Sequence, residues 1–151
     1  MAVRRATSLL GDVEAGNDVA HEVFVDLLAR PEQFEGRSAF STFLYAAVTH
    51  RCLQRLRDGR NRTRILDLQG VDPQGAIAPA ALSGDVDRLV LLRQLVARLP
   101  PDLGEVAVYF YVDSMTYDQI AETLGCSRRH IADLLTRFRD AAAQLVRETA
   151  S

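Results

Sequence analysis

Apolar residues recur along this chain at helical intervals, and no useful stretch alternates apolar with polar as a half-buried strand would. Val19, Val23 and Leu27 stand at i, i+4 and i+8 with Phe24 and Leu28 beside them, which predicts one apolar helix face between Asp12 and Arg30. Pro31 has no amide to continue the ladder, so that helix ends there. Ser38 is placed to cap a second helix carrying Leu44, Ala47, Val48 and Leu56 as far as Gly59. Farther on, Asp85 caps a helix from about Val86 to Leu99, stopped by Pro100-Pro101, and Asp102 to Val112 makes another. Two more helices, about Tyr117–Leu124 and Arg128–Val146, are joined by a tight turn. The pattern predicts an all-α fold.

Between the helical blocks lies DLQGVDPQGAIAPAALSGDVD, residues 67–87, with three Gly, two Pro, four Asp and no base. Gly and Pro punctuate regular structure, and a patternless stretch this long is unusual inside one compact domain. Two small helical domains, 1–66 and 87–151, joined by an irregular acidic linker at 67–86, account for it better. An apolar share of 48% is enough to build cores. No apolar run approaches the roughly 20 residues that span a bilayer, and Met1-Ala2-Val3-Arg4-Arg5 leads into no secretory core, so a cytoplasmic protein without membrane insertion is expected. Cys52 and Cys126 lack metal-binding or redox spacing and read as reduced structural thiols. His21, His50 and His130 are equally scattered; no metal, cofactor or catalytic constellation is expected.

Charge changes the picture at one place. Residues 51–64, RCLQRLRDGRNRTR, hold six arginines against one aspartate, while the whole chain carries −2. Just upstream, Phe40, Phe43 and Tyr45 place aromatics at helical spacing. Cations grip phosphates and rings stack on unpaired bases, so this pairing points to single-stranded or melting DNA. Lysine is absent and all 18 Lys/Arg positions are arginine; a GC-rich coding sequence explains that bias more simply than phosphate binding does, and it assigns no function.

The second block carries a helix-turn-helix pattern. Thr116 followed by Gln119 makes a capping box, Ile120, Ala121 and Leu124 a short apolar face, Gly125 a left-handed helix end, and Ser127 the next cap. The following helix puts Ile131, Leu135, Phe138, Ala142 and Leu145 on one stripe and leaves Arg128, Arg129 and His130 exposed at its start. Residues at that position meet base edges in the major groove, where arginine pairs with guanine.

These pieces, in this order, resemble a bacterial RNA polymerase sigma factor of the extracytoplasmic-function type. The family's D-x-x-Q-E-x-F pattern stands here as Asp18-Val19-Ala20-His21-Glu22-Val23-Phe24, and its F-x-G-x-S-x-F-x-T-W-L-Y as Phe34-Glu35-Gly36-Arg37-Ser38-Ala39-Phe40-Ser41-Thr42-Phe43-Leu44-Tyr45. Leu99-Pro100-Pro101, Glu105-Val106 and Tyr111-Val112 precede the helix-turn-helix as in the family's region four. The resemblance implies a subunit that binds polymerase core, directs it to promoters and promotes melting. Asp18, His21, Glu22 and Asp26 would dock on the β′ clamp helices. The loop of Phe34, Gly36, Arg37 and Ser38 would pocket a flipped minus-ten base, with Phe43, Tyr45 and His50 lining the path of melting DNA. Arg51, Arg55, Arg57, Arg60, Arg62 and Arg64 would hold the backbone there. The linker would run toward the active-site cleft or RNA exit path. Ser127, Arg128, Arg129, His130, Asp133 and Arg137 would face the minus-thirty-five element, and the second domain would also meet the β flap. An anti-sigma factor is a further partner the resemblance allows.

The chain departs from the family at several points. Only Met1–Leu10 stands where a full helix usually precedes Asp12, so one wall of the first bundle is expected to be short. His21 replaces Gln, Phe43 replaces Trp, and Phe110 replaces a common Arg; Ala132-Asp133-Leu134 stands where a Lys/Arg-Ser-Arg run is common. Asp133 would repel phosphate unless it accepts from a cytosine amine. Either the second domain reads a different element more weakly, or exposed Leu134 and Phe110 serve a protein interface. Two alternative functions follow: a sigma-like decoy that binds polymerase without opening promoters, and a helix-turn-helix regulator independent of polymerase.

Overall fold

The computed structural model describes the backbone of residues 1–67 and 85–150 and the side chains of 1–59 and 89–148. Among the described residues there are seven α-helices and no strand: α1 (Ala2–Leu10), α2 (Val13–Ala29), α3 (Phe40–Asp67), α4 (Asp85–Arg98), α5 (Pro101–Ala107), α6 (Tyr117–Leu124) and α7 (Arg128–Ala150). No described helix is long and apolar enough to cross a membrane. Of the linker expected at 67–86, Asp67 ends α3 and Asp85 and Val86 open α4, while residues 68–84 lie outside the described residues.

Local chemistry sets most of the boundaries. The Asp12 carboxylate accepts from the Ala15 amide at 3.1 Å and opens α2, and Pro31 starts a 3-10 turn that closes it. Two expectations for α3 need correction. Ser38 does not cap it: its hydroxyl donates to the Ala39 carbonyl at 3.4 Å, and that carbonyl takes the first helical amide, from Phe43. Gly59 does not stop it either, because a glycine costs an exposed helix only about 1 kcal/mol relative to alanine and α3 continues to Asp67. The predicted helix 102–112 is likewise divided. It runs as α5 and then widens into a π-helical turn at Val108–Val112, ending at Asp113 and at Ser114 with φ of 53°.

The first wall of the bundle is short, as the sequence suggests: α1 has 9 residues against 17 in α2 and 28 in α3. Met1–Leu10 supplies α1, which buries Ala2, Ala6 and Leu9 against Val19, Ala20 and Val23 of α2 and Leu44, Val48 and Leu53 of α3. Gly16 makes that crossing possible: a Cβ there would sit 2.7 Å from the Thr7 amide nitrogen. At about 100° per residue, Phe24 and Leu28 turn away from the Val19–Val23 stripe, and they are exposed rather than part of it.

The second core gathers Leu95, Leu99, Leu103, Val106 and Tyr109 with Ile120, Ile131, Leu134, Leu135 and Phe138. Leu134 is 3% exposed, so it is core and not the apolar surface the sequence suggested; Phe110 is half-buried against the same cluster. The two cores interlock. Val96 of α4 and Val108 pack into the first, while Tyr45 of α3 packs against the second.

Burial also separates the cysteines. Cys52 has no exposed surface, and desolvation pushes its thiol up to about 12, with Arg5 and Arg55 pulling slightly the other way. Cys126 is half-exposed. Thiolate is the reactive form, so Ellman's reagent is expected to titrate Cys126 alone in the native chain and Cys52 only after denaturation. Two fast thiols under native conditions would contradict this packing.

Candidate nucleic-acid and polymerase interfaces

Three rings touch one another where the loop before α3 meets that helix: Phe34 on the loop, and Phe40 and Phe43 in the first turn of α3. Phe34 lies 5.3 Å from both Phe40, edge-on, and Phe43, while Phe40 and Phe43 stack at 6.5 Å. None of the three belongs to either core. Gly36, exposed at φ of 73°, makes the turn that folds Phe34 back onto α3. Arg37 reaches into solvent and pairs with Glu35 at 2.8 Å. Ser38 is exposed beside it. Phe40 joins Phe43 in the cluster, as their i, i+3 spacing allows, whereas Tyr45 is not part of it.

The acids of α2 and the first two arginines of α3 form one ladder. Arg51 pairs with Asp26 and lies 3.9 Å from Glu22; Arg55 donates to Glu22 at 2.9 Å and lies 3.9 Å from Asp18. His21 is exposed on the adjoining face, as are Phe24, Val25 and Leu28. Groups assigned from sequence to two different partners thus meet in one surface. The apolar patch was legible only through the geometry of α2.

Tyr45, His50 and Arg57 face the second half of the chain. The Tyr45 ring stacks on Tyr109 at 6.1 Å, with the Arg5 guanidinium 4.3 Å from its centroid. Burial, joined by the Asp113 carboxylate, pushes the Tyr45 phenol well above its usual range against the pull of Arg5. Arg5 is 8% exposed and donates from Nη1 and Nη2 to the two Asp113 oxygens at 2.5 and 2.6 Å, and from Nε to Thr49 at 3.2 Å. His50 Nδ1 lies 3.8 Å from Glu105 Oε2. Burial raises the Glu105 carboxyl, while His50, the Tyr109 hydroxyl and Arg57 draw it down. Arg57 presses against α5 at Gly104, with its Nε and Nη2 buried and without hydrogen-bond partners. The side chains of Arg60, Arg62 and Arg64 lie outside the described residues, although α3 carries their backbone.

The helix-turn-helix is built as its residues predict. Thr116 accepts from the Gln119 amide at 3.2 Å while the Gln119 side chain accepts from the Thr116 amide at 2.8 Å. Gly125 ends α6 at φ of 68°, and Ser127 accepts from the His130 amide at 3.1 Å. Arg128, Arg129 and His130 are exposed at the start of α7. Arg129, Asp133 and Arg137 follow at i, i+4 and i+8 on one exposed stripe, so Asp133 stands between two cations. Arg128 also pairs with Asp118 at 3.2 Å and lies 5.9 Å over the Tyr117 ring, a contact ten residues apart that spacing alone does not disclose.

Both halves of the chain match known proteins. Residues 1–63 match the family described as Sigma-70 region 2, and residues 89–141 that described as Sigma-70, region 4. The ECF RNA polymerase sigma factor SigW of Bacillus subtilis is 24% identical over 155 residues, covering 93% of this chain and 80% of that protein. The ECF RNA polymerase sigma factor SigC of Mycobacterium tuberculosis is 27% identical over 139 residues, covering 92% and 74%. For the ECF RNA polymerase sigma-E factor of Escherichia coli the identity is 28% over 140 residues, covering 87% and 72%. The fold is similar to that of the sigma factor RpoE from Bartonella quintana, solved in complex with the anti-sigma factor NepR, at a TM-score of 0.51 and 19% identity over 97% of this chain and 89% of that one. With both sigma regions matched in order and relatives aligned along nearly its whole length, the chain belongs to the sigma-70 family as an extracytoplasmic-function sigma factor, a protein that directs RNA polymerase to promoters.

Proposed function

We propose that residues 1–66 form the unit that docks on polymerase core and opens the minus-ten element, that 67–86 link it, and that 87–151 read the minus-thirty-five element and meet the β flap. The observation that carries this reading is the ring cluster of Phe34, Phe40 and Phe43, which lies outside both cores and beside the arginine-rich α3. Stacking on an aromatic ring is worth about 1–3 kcal/mol per base, comparable to the roughly 1.4 kcal/mol lost per base-pair step. One or two captured bases therefore offset the opening of a step or two. In this division of labour Phe34, Gly36, Arg37 and Ser38 hold a flipped base, Arg60, Arg62 and Arg64 hold the backbone, and Arg128, Arg129, His130 and Arg137 read the duplex.

The ion-pair ladder alters the role of two arginines. Arg51 and Arg55 hold Asp18, Glu22 and Asp26 in register, so they shape the surface that meets the β′ clamp helices, with Phe24 and Leu28 supplying its apolar part. The chain works in the cytoplasm with the polymerase, which performs the chemistry; the sigma subunit is no enzyme. An anti-sigma factor belongs to the same proposal, as a partner for these faces. Leu134 is core, which removes the exposed apolar surface that favoured a protein interface for the second domain.

Run-off transcription with purified core tests the proposal. Promoter-specific transcripts are expected, and Arg129→Ala with Arg137→Ala should reduce them while flattening the salt dependence by roughly 0.9 per lost duplex contact. A chain that binds core yet starts no transcript at any promoter is a decoy. One that binds an operator tightly without core is an independent regulator.

A further inference from the structure

We propose that Asp133 sets a base preference of the second domain, by accepting from the exocyclic amine of a cytosine in the duplex that α7 reads. This rests on the reading of the second domain as the part that meets the minus-thirty-five element. Few polar groups on the exposed face of α7 are free to meet base edges. Ser127 caps the His130 amide, Arg128 is held to Asp118 at 3.2 Å and over the Tyr117 ring, and the Thr136 hydroxyl donates back to the Ala132 carbonyl at 3.0 Å. Arg129, His130, Asp133 and Arg137 remain exposed. Arg129 and Arg137 stand four residues to either side of Asp133, yet among the described residues neither forms an ion pair with it. Its carboxylate is an unengaged acceptor in a stretch whose other charges are cations. Ile131, Leu134 and Leu135 around it are buried, so the packing of α7 fixes where that acceptor stands.

An ionised carboxylate only accepts hydrogen bonds. In the major groove the cytosine edge offers a donor at N4, guanine two acceptors, thymine an acceptor and a methyl group, and adenine a donor beside the N7 acceptor. The order of preference is therefore cytosine, then adenine, with guanine and thymine rejected. An acid on this face also repels every phosphate near it, and only the sequence that supplies the amine offsets that cost. Rejecting wrong sequences by an unpaired charge gives specificity at the expense of affinity. Positions 129 and 133 are about 6 Å apart along a helix, close to two base-pair steps of about 3.4 Å each. With α7 lying in the groove, the cytosine stands about two steps from the base that Arg129 meets, and Arg137 repeats the spacing on the other side. Arginine favours guanine, so guanine preferences flank the cytosine preference.

The test uses holoenzyme assembled from the full chain and purified core, and a library of random-sequence duplexes from which the bound molecules are sequenced. The wild type should select a motif upstream of the melted segment with one cytosine column, and replacing that pair by T·A should weaken binding about tenfold, the usual cost of one mismatched pair. Asp133→Ala should flatten that column alone and bring the two duplexes to equal affinity, while binding random duplex more tightly because a repelling charge is gone. Asp133→Asn, nearly the same in shape, should turn the column to adenine, to which an amide both donates and accepts. Asp133 is exposed, so both variants should fold as the wild type does, which circular dichroism checks. A motif identical in all three proteins overturns the inference. So does an Asp133→Ala chain that binds every duplex more tightly by the same factor, since the acid would then be a general repellent. Wild-type holoenzyme that selects no motif upstream of the melted segment sinks the reading of the second domain itself, and the inference with it, whereas an upstream motif that ignores position 133 sinks the inference alone.

Discussion

Asp113→Ala is expected to cost the fold about 3–5 kcal/mol, the usual consequence of leaving one member of a buried ion pair without its partner. Arg5 is 8% exposed and lies between the Tyr45 ring and Thr49. With the carboxylate gone, its guanidinium keeps only the Thr49 hydroxyl and the ring face. A loss of that size is a large share of the 5–15 kcal/mol that holds a typical domain together, and the chain has a way to escape it by separating the halves and hydrating Arg5. Urea denaturation followed by circular dichroism should therefore change from one transition to two, with the first at lower denaturant. Adding Arg5→Met should recover much of the loss, since removing both charges leaves no orphan. A single transition at the wild-type midpoint in Asp113→Ala would show that the pair contributes nothing.

The contrast between this ion pair and the helix-turn-helix explains what the sequence discloses. Asp12, Thr116 with Gln119, Gly125 and Ser127 each act on a backbone group within three or four residues, so the residue type and its spacing contain the whole interaction. The helices they bound were legible for that reason. Ser38 fails the same test because its hydroxyl turns to the neighbouring carbonyl, a choice between two local partners that composition does not decide. The widening at Val108–Val112 is also invisible, because Val, Tyr and Phe at those positions suit an ordinary helix as well.

Site residues divide along the same line. The exposed arginines at the start of α7 and the rings around Gly36 were legible as short patterns. Leu134 was misread as surface because it departs from a family pattern at a position where the helix faces its own core. Arg51 and Arg55 were read from charge density as phosphate ligands, whereas the carboxylates that engage them come from α2, between 25 and 33 residues away for Asp26 and Glu22. Arg5 offered no signal at all: a basic residue near an N-terminus is ordinarily solvated, and its partner lies in the other half of the chain. Charge counting finds the cations, and only the fold says which of them remain available to DNA.

Phe43→Ala is expected to be the most damaging single change to promoter opening. Its ring contacts Phe34 and Phe40 and lies outside both cores, so the substitution should leave the unfolding midpoint of the free chain nearly unchanged. It removes a stacking surface worth about 1–3 kcal/mol per base, which converts to a loss of about fivefold to 150-fold in the open-complex equilibrium. Phe34→Ala should act in the same direction and less than additively, since the two rings pack on each other and share the face they present. Phe43→Trp, with a larger ring, should retain or exceed the original opening. Permanganate reactivity of unpaired thymines, measured with core at constant salt, reads the effect directly, and core affinity measured alongside should stay constant because the α2 ladder is untouched. Full thymine reactivity in Phe43→Ala would mean that the ring cluster only braces the loop, and that strand capture depends on the arginines of α3 alone.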